Sequence, residues 1–151
     1  MLPVDDRAAT DLAMLVLRAS TEVVDGVQAG LAERGFDDVR PAHGFAFARI
    51  AGGDTTVVDL ADHLGTTKQA ASQLVAGLVE RGYLRREPDP RDARARLLRL
   101  TARGEACTRA AEEAAADVVA GWGEVLPGAS LGALHAMLRR AVTPGPLRPT
   151  W

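Results

Sequence analysis

The sequence predicts a mainly α-helical chain with a small β-wing: a winged helix-turn-helix flanked by long N- and C-terminal helices. Three observations carry that prediction. Between Thr55 and Gly104, two short segments with helical apolar spacing are separated by a break at Gly65. Two arginine-rich, strand-like runs follow, on either side of Pro88 and Pro90. Outside this centre, apolar residues recur at i, i+3 and i+4, the pattern of amphipathic helices. A helix-turn-helix presents one helix to the DNA major groove, and a basic hairpin beside it can reach phosphates or a minor groove.

The elements follow in order. Leu12, Leu15, Val16, Ala19, Val23, Val27 and Leu31 describe one long helix over residues 6–34, stopped at Gly35 and followed by a connector through Arg40. Pro41 suits the first turn of the next helix, which runs through Phe45, Phe47 and Ile50 to Gly52-Gly53. Asp54-Thr55-Thr56 caps a short helix carrying Val57, Leu60, Ala61 and Leu64, and Gly65 ends it. Thr66 is the expected cap of the recognition helix, 67–81, whose buried stripe is Ala70 or Ala71 with Leu74, Val75, Leu78 and Val79. That stripe leaves Lys68, Gln69, Ser72, Gln73 and Ala76 outward. The wing, 83–100, is expected as strands Tyr83–Glu87 and Arg96–Leu100 around a loop from Pro88 to Ala95, where the two prolines suppress strand continuation. Thr101 then caps a long helix from Ala102 to about Trp122; a last helix, Leu131 to Val142, follows Pro127-Gly128, and the tail from Thr143 to Trp151 is proline-rich.

Composition and charge narrow the function. The chain of 151 residues is 47% hydrophobic and 25% charged, which fits one domain, 1–151, with an ordinary core. No apolar run spans a bilayer, and the N-terminus lacks the pattern of a signal peptide, so a cytoplasmic protein is expected without a membrane partner. The net charge of −2 hides a strong asymmetry. Residues 1–65 hold 5 basic and 11 acidic groups, residues 66–109 hold 10 and 5, and residues 110–151 hold 3 and 4. The basic centre can face DNA while the acidic ends are held away from phosphate. The single lysine, Lys68, falls in the first turn of the recognition helix. No catalytic triad, phosphate-binding glycine loop or zinc spacing stands out, so no enzyme and no cofactor are expected. His43, His63 and His135 lack the i, i+4 pairing of a metal site.

Leu60-Ala61-Asp62-His63-Leu64, Thr67-Lys68-Gln69, Leu78-Val79-Glu80-Arg81-Gly82-Tyr83-Leu84 and the run Asp89 to Thr101 with Gly104 together resemble the multiple antibiotic resistance regulator (MarR) family of winged-helix repressors. The specific part is Asp-Pro-x-Asp-x-Arg followed by Leu-Thr-x-x-Gly. The resemblance implies that the helix from Thr67 enters the major groove and that Arg94 at the wing tip reaches the minor groove, with Asp92 orienting its guanidinium. Ala93 stands where many relatives carry a second arginine, so Arg91 or Arg96 is expected to compensate. The expected DNA-contacting set is therefore Thr66, Thr67, Lys68, Gln69, Ser72, Gln73, Arg91, Asp92, Arg94 and Arg96.

The family is built as a homodimer, and the helices over 6–34 and 102–142 are the expected dimerisation elements around a winged helix-turn-helix at 41–101. Their apolar faces exceed what one winged-helix core can cover, which points independently to a second copy. The resemblance further implies a homodimeric repressor of a pseudo-palindromic operator in double-stranded DNA, relieved by a small aromatic or phenolic effector. His43, Phe45, Phe47, Arg49 and Trp122 are the residues expected to line the effector cleft. Two other readings compete: a winged helix that binds a protein without sequence-specific DNA contact, and a redox-responsive regulator using Cys107. Relatives that sense peroxide do so through a cysteine near the N-terminus, so the resemblance does not carry that role to Cys107.

Overall fold

The computed structural model describes residues 5–145. Six helices and one two-stranded antiparallel sheet follow one another as α1 (Asp6–Glu33), α2 (Pro41–Ala51), α3 (Val57–Leu64), α4 (Lys68–Glu80), β1 (Leu84–Asp89), β2 (Asp92–Leu100), α5 (Ala102–Val125) and α6 (Ser130–Ala141). The mainly helical class with a small β-wing is the architecture found. The proline-rich tail beyond Gly145 lies outside the described residues.

The winged head packs around Leu60, Val75, Leu78, Leu84 and Leu98, joined by Phe47 from α2 and Cys107 from α5. Tyr83 is fully buried at its centre, 5.6 Å from the Phe47 ring and 6.3 Å from Phe36. Its hydroxyl donates to Asp38 Oδ1 at 2.5 Å, and Arg103 lies 4.6 Å over its ring. Arg81 donates to the Asp38 carbonyl. This cluster ties the connector after α1, the end of α4 and the start of α5 to one another. The hydroxyl bond holds the Asp38 carboxyl below the usual carboxylate range, and burial first, with Asp38 second, raises the Tyr83 hydroxyl.

Local caps explain why the helix-turn-helix breaks where it does. Thr56 Oγ1 accepts the Asp59 N–H while the Asp59 carboxylate accepts the Thr56 N–H at 2.8 Å, a reciprocal capping box. Gly65 closes α3 in the left-handed region, at φ 65°. The turn is one residue longer than the sequence suggests. The Thr66 N–H donates to the Ala61 carbonyl at 3.0 Å, closing α3, and Thr67 caps α4 by accepting the Ala70 N–H at 3.1 Å. Ala71 rather than Ala70 is the buried member of the α4 stripe.

The wing also departs from expectation. Its strands run on through Pro88 to a tight turn at Pro90-Arg91, leaving no loop from 88 to 95. The register explains how. The Leu98 N–H points away from β1, to the Thr55 carbonyl at 2.8 Å, so the Arg86–Leu98 pair is not hydrogen-bonded across the ladder. Pro88, two residues on and paired with Arg96, faces outward in the same way. Its missing N–H therefore costs no ladder bond.

Close approach between α1 and α5 rests on small residues. A Cβ on Gly26 or Gly30 would collide with Val118 or Ala114, and Arg34 at the edge of the contact pairs with Asp117 at 2.9 Å and Glu113 at 3.4 Å. Only the second half of α1 is packed this way: Leu31 is buried and Val27 rests on the core, whereas Leu12, Met14, Leu15 and Leu17 are 53–61% exposed. Met137, Leu138 and Val142 at the other end of the chain are also exposed.

Candidate nucleic-acid interface

Helix α4 turns Ala71, Val75 and Leu78 inward, which fixes the opposite face outward. Lys68, Gln69 and Gln73 are exposed and Ser72 is half-buried; among the described residues, none of these four side chains has a protein partner. Small Ala70 and Ala76 share the exposed surface. Thr66 is exposed in the turn, and Thr67 is exposed with its hydroxyl oxygen committed to the cap. Long polar side chains at the first turn of an amphipathic helix, free of internal bonds, can reach base edges and phosphates.

The wing divides its arginines into tied and free ones. The Asp89 carboxylate accepts the Arg91 backbone N–H at 2.8 Å and faces Arg91 Nε at 3.1 Å, which locks the turn. Arg91 also reaches Asp54 Oδ2 at 3.0 Å. The side-chain bond to Arg91 is the main reason that Asp89 stays ionised below the ordinary carboxylate range. The pairing then slips: Pro88 faces Arg96 and Asp89 faces Asp92, so Ala93, Arg94 and Ala95 form a bulge in β2. Asp92 acts on Arg94 through the backbone, accepting its N–H at 2.9 Å, rather than by holding the guanidinium as the resemblance implies. A side chain two residues on in an Asx-type turn aims its N–H, not its head, at the carboxylate. The Arg94 guanidinium is consequently exposed and has no protein partner among the described residues. Arg96 bends back to the carbonyls of Ala95, at 3.2 Å, and Ala93.

Two residues outside the expected DNA-contacting set shape this site. Asp54 and Arg99 pair at 2.7 Å at the base of the wing. Their only sequence signal is an acid just before a helix cap and an arginine in a strand, which many chains share.

Of the five residues expected around an effector, His43, Phe45, Phe47 and Arg49 lie on α2 and Trp122 on α5. Phe47 is buried in the core. Arg49 donates to the buried Thr55 hydroxyl at 2.7 Å, and His43 Nδ1 accepts the Arg40 N–H at 2.9 Å at the start of α2. Burial, aided by Arg81 and Arg40, pushes the His43 imidazole down to about 4. Phe45 is half-buried on α2 and Trp122 half-buried far along α5. A separate cleft of about 480 Å³ opens between the end of α2, the wing base and α5; Ile50 and Leu100 form its apolar wall, and Arg85, Arg99, Arg109 and Glu105 its charged rim. No group of acidic, histidine or cysteine side chains able to hold a metal ion occurs among the described residues. No described helix is long and apolar enough to cross a membrane.

The model of the MarR family matches residues 37–95, from the connector after α1 into the wing. The fold is that of the MarR family of transcriptional regulators. Apo MarR from E. coli superposes with a TM-score of 0.71 at 20% identity, covering 95% of this chain and 99% of its own. A MarR mutant from E. coli complexed with operator DNA gives 0.65 at 21% identity, covering 88% and 94%. A MepR mutant from S. aureus bound to an oligodeoxyribonucleotide gives 0.65 at 19% identity, covering 86% and 94%. No curated protein sequence matches at a significant level.

Proposed function

We propose that the protein is a homodimeric, sequence-specific DNA-binding transcriptional regulator: a repressor of a pseudo-palindromic operator, released by a small aromatic or phenolic anion. The observation that carries this reading is the pairing of two unpartnered polar surfaces on one MarR-type head. Lys68, Gln69, Ser72 and Gln73 project from α4, and the unpaired Arg94 projects from the wing bulge beside it. Two such structures, from E. coli and S. aureus, are complexes with operator DNA and with an oligodeoxyribonucleotide. A helix for the major groove and an arginine for the adjacent minor groove form one reader. The exposed apolar residues of α1 and α6 support a second copy of the chain. For the effector, the cleft at Ile50 and Leu100 offers an aromatic ring with an acidic group an apolar wall and an arginine rim facing one space.

Selection of bound sites from a random duplex pool tests the reading. The native protein is expected to enrich a pseudo-palindrome, and Arg94→Ala to bind it more weakly by about 1–3 kcal/mol. Absence of an enriched site, or binding indifferent to salt, overturns it in favour of a winged helix that recognises protein.

A further inference from the structure

On the DNA-binding reading, the reach of the wing depends on how the hairpin is held against the head, and one carboxylate contacts it at two places. Asp54 lies between α2 and α3. Its Oδ1 accepts a hydrogen bond from Arg99 Nη2 at 2.7 Å, and its Oδ2 lies 3.0 Å from Arg91 Nη2. Arg99 comes from the base of β2 and Arg91 from the turn at the far end, so a single side chain clasps both ends of the hairpin. Arg99 Nε also donates to Glu87 at 3.2 Å on β1, and Arg91 Nε to Asp89 at 3.1 Å. The segment carrying Asp54 is firmly mounted. Thr55 is fully buried, its hydroxyl takes the 2.7 Å bond from Arg49 and donates to the Gly53 carbonyl at 2.8 Å, and its own carbonyl accepts the Leu98 N–H.

We propose that Asp54 is a positioning residue that sets the wing for DNA reading, and that Arg91 is a strut of that clasp rather than a DNA contact. A lone two-stranded hairpin is marginal in water, so its direction must come from what it is docked on. Isolated surface ion pairs contribute little, but here two arginines converge on one mounted carboxylate and each is also held by a second acid. A guanidinium already flanked by two carboxylates adds less to phosphate neutralisation and counterion release than Arg94, which has no such partner among the described residues. The clasp thus leaves Arg94 as the wing residue presented to the groove.

This inference rests on the DNA-binding reading, and two readouts separate their failures. The first is affinity for a duplex enriched by the native protein, measured across salt for Asp54→Asn, Arg91→Ala, their double variant and Arg94→Ala. Arg94→Ala is expected to flatten the slope of log K against log salt by about 0.9. Arg91→Ala and Asp54→Asn are each expected to weaken binding ~3- to 10-fold with the slope unchanged, and the double variant to be no weaker than either single one. A flatter slope for Arg91→Ala, additive losses in the double variant, or tighter binding by Asp54→Asn overturns the assignment. The second readout needs no DNA: backbone amides from Asp92 to Leu97 are expected to exchange with deuterium faster in Asp54→Asn. If the native protein enriches no duplex, the DNA-binding reading fails while exchange still decides the clasp; unchanged exchange overturns it.

Discussion

At the scale of single residues, the joint between wing and α5 depends on the absence of one carbon. Gly104 sits where α5 starts against the carbonyl of Tyr83, and an added Cβ would overlap that oxygen. The carbonyl is held in place, because it accepts the Thr101 N–H at 3.0 Å. Gly104→Ala is therefore expected to destabilise by about 1–3 kcal/mol in urea unfolding, despite the gain in helix propensity. Gly121 in the same helix has nothing within 4 Å of its would-be Cβ. Gly121→Ala should stabilise by about 0.4–1 kcal/mol, and equal effects at the two positions would refute the steric account. Cys107 is argued in the same way. It is 1% exposed, and burial first, then Asp38, pushes its thiol up to about 11. A thiol held neutral and covered does not sense oxidants. A thiol-reactive dye at neutral pH should label it only as fast as the protein opens, and prompt labelling of the native protein would restore the redox reading.

At the scale of elements, the start of α2 carries a proton-sensitive cap. His43 Nδ1 must be unprotonated to accept the Arg40 N–H, and its folded value of about 4 lies below the 6.5 of an unfolded chain. Between those values the unfolded chain binds a proton that the folded one does not, so this contribution is complete above about 6.5 and lost as pH falls toward about 4. Urea midpoints measured from pH 7 to 4 should fall, and His43→Gln, which keeps an acceptor but cannot protonate, should flatten that fall. An unchanged slope in the variant would remove His43 from the account. The same elements show what sequence reveals. The stripe Ala71, Val75, Leu78 of α4 and the left-handed stop at Gly65 are local patterns, so the head and its outward face are legible from spacing. The extent of the wing is not: whether Pro88 ends a strand depends on which way its nitrogen faces across the ladder, a matter of register. Asp54 and Arg99 meet across 45 residues, and nothing near either one foretells the pairing. Phe47 and Arg49 fit an effector cleft by type, yet tertiary packing sends one into the core and the other to Thr55.

At the scale of the whole molecule, the exposed half of α1 and the outward face of α4 constrain each other. Leu12, Met14, Leu15 and Leu17 remain 53–61% exposed although the rest of α1 packs on α5, and α6 with the residue that follows it adds Met137, Leu138 and Val142. Apolar surface of that kind at both ends of a chain is covered most simply by a two-fold copy, in which the same patches meet. Two-fold symmetry then repeats α4, and the two helices can occupy successive major-groove faces only if the half-sites lie about one turn apart, roughly 34–36 Å. Leu15→Glu should place a charge in that contact, shift the protein to monomer in sedimentation, and abolish tight operator binding while the helical content of the head persists. Inserting about half a helical turn between the half-sites should do the same to the native protein by rotating one half-site to the opposite side of the duplex. The two experiments probe one geometry from opposite sides. A monomeric variant with native affinity, or an operator indifferent to the insertion, would show that a single head suffices and that the apolar ends serve another contact.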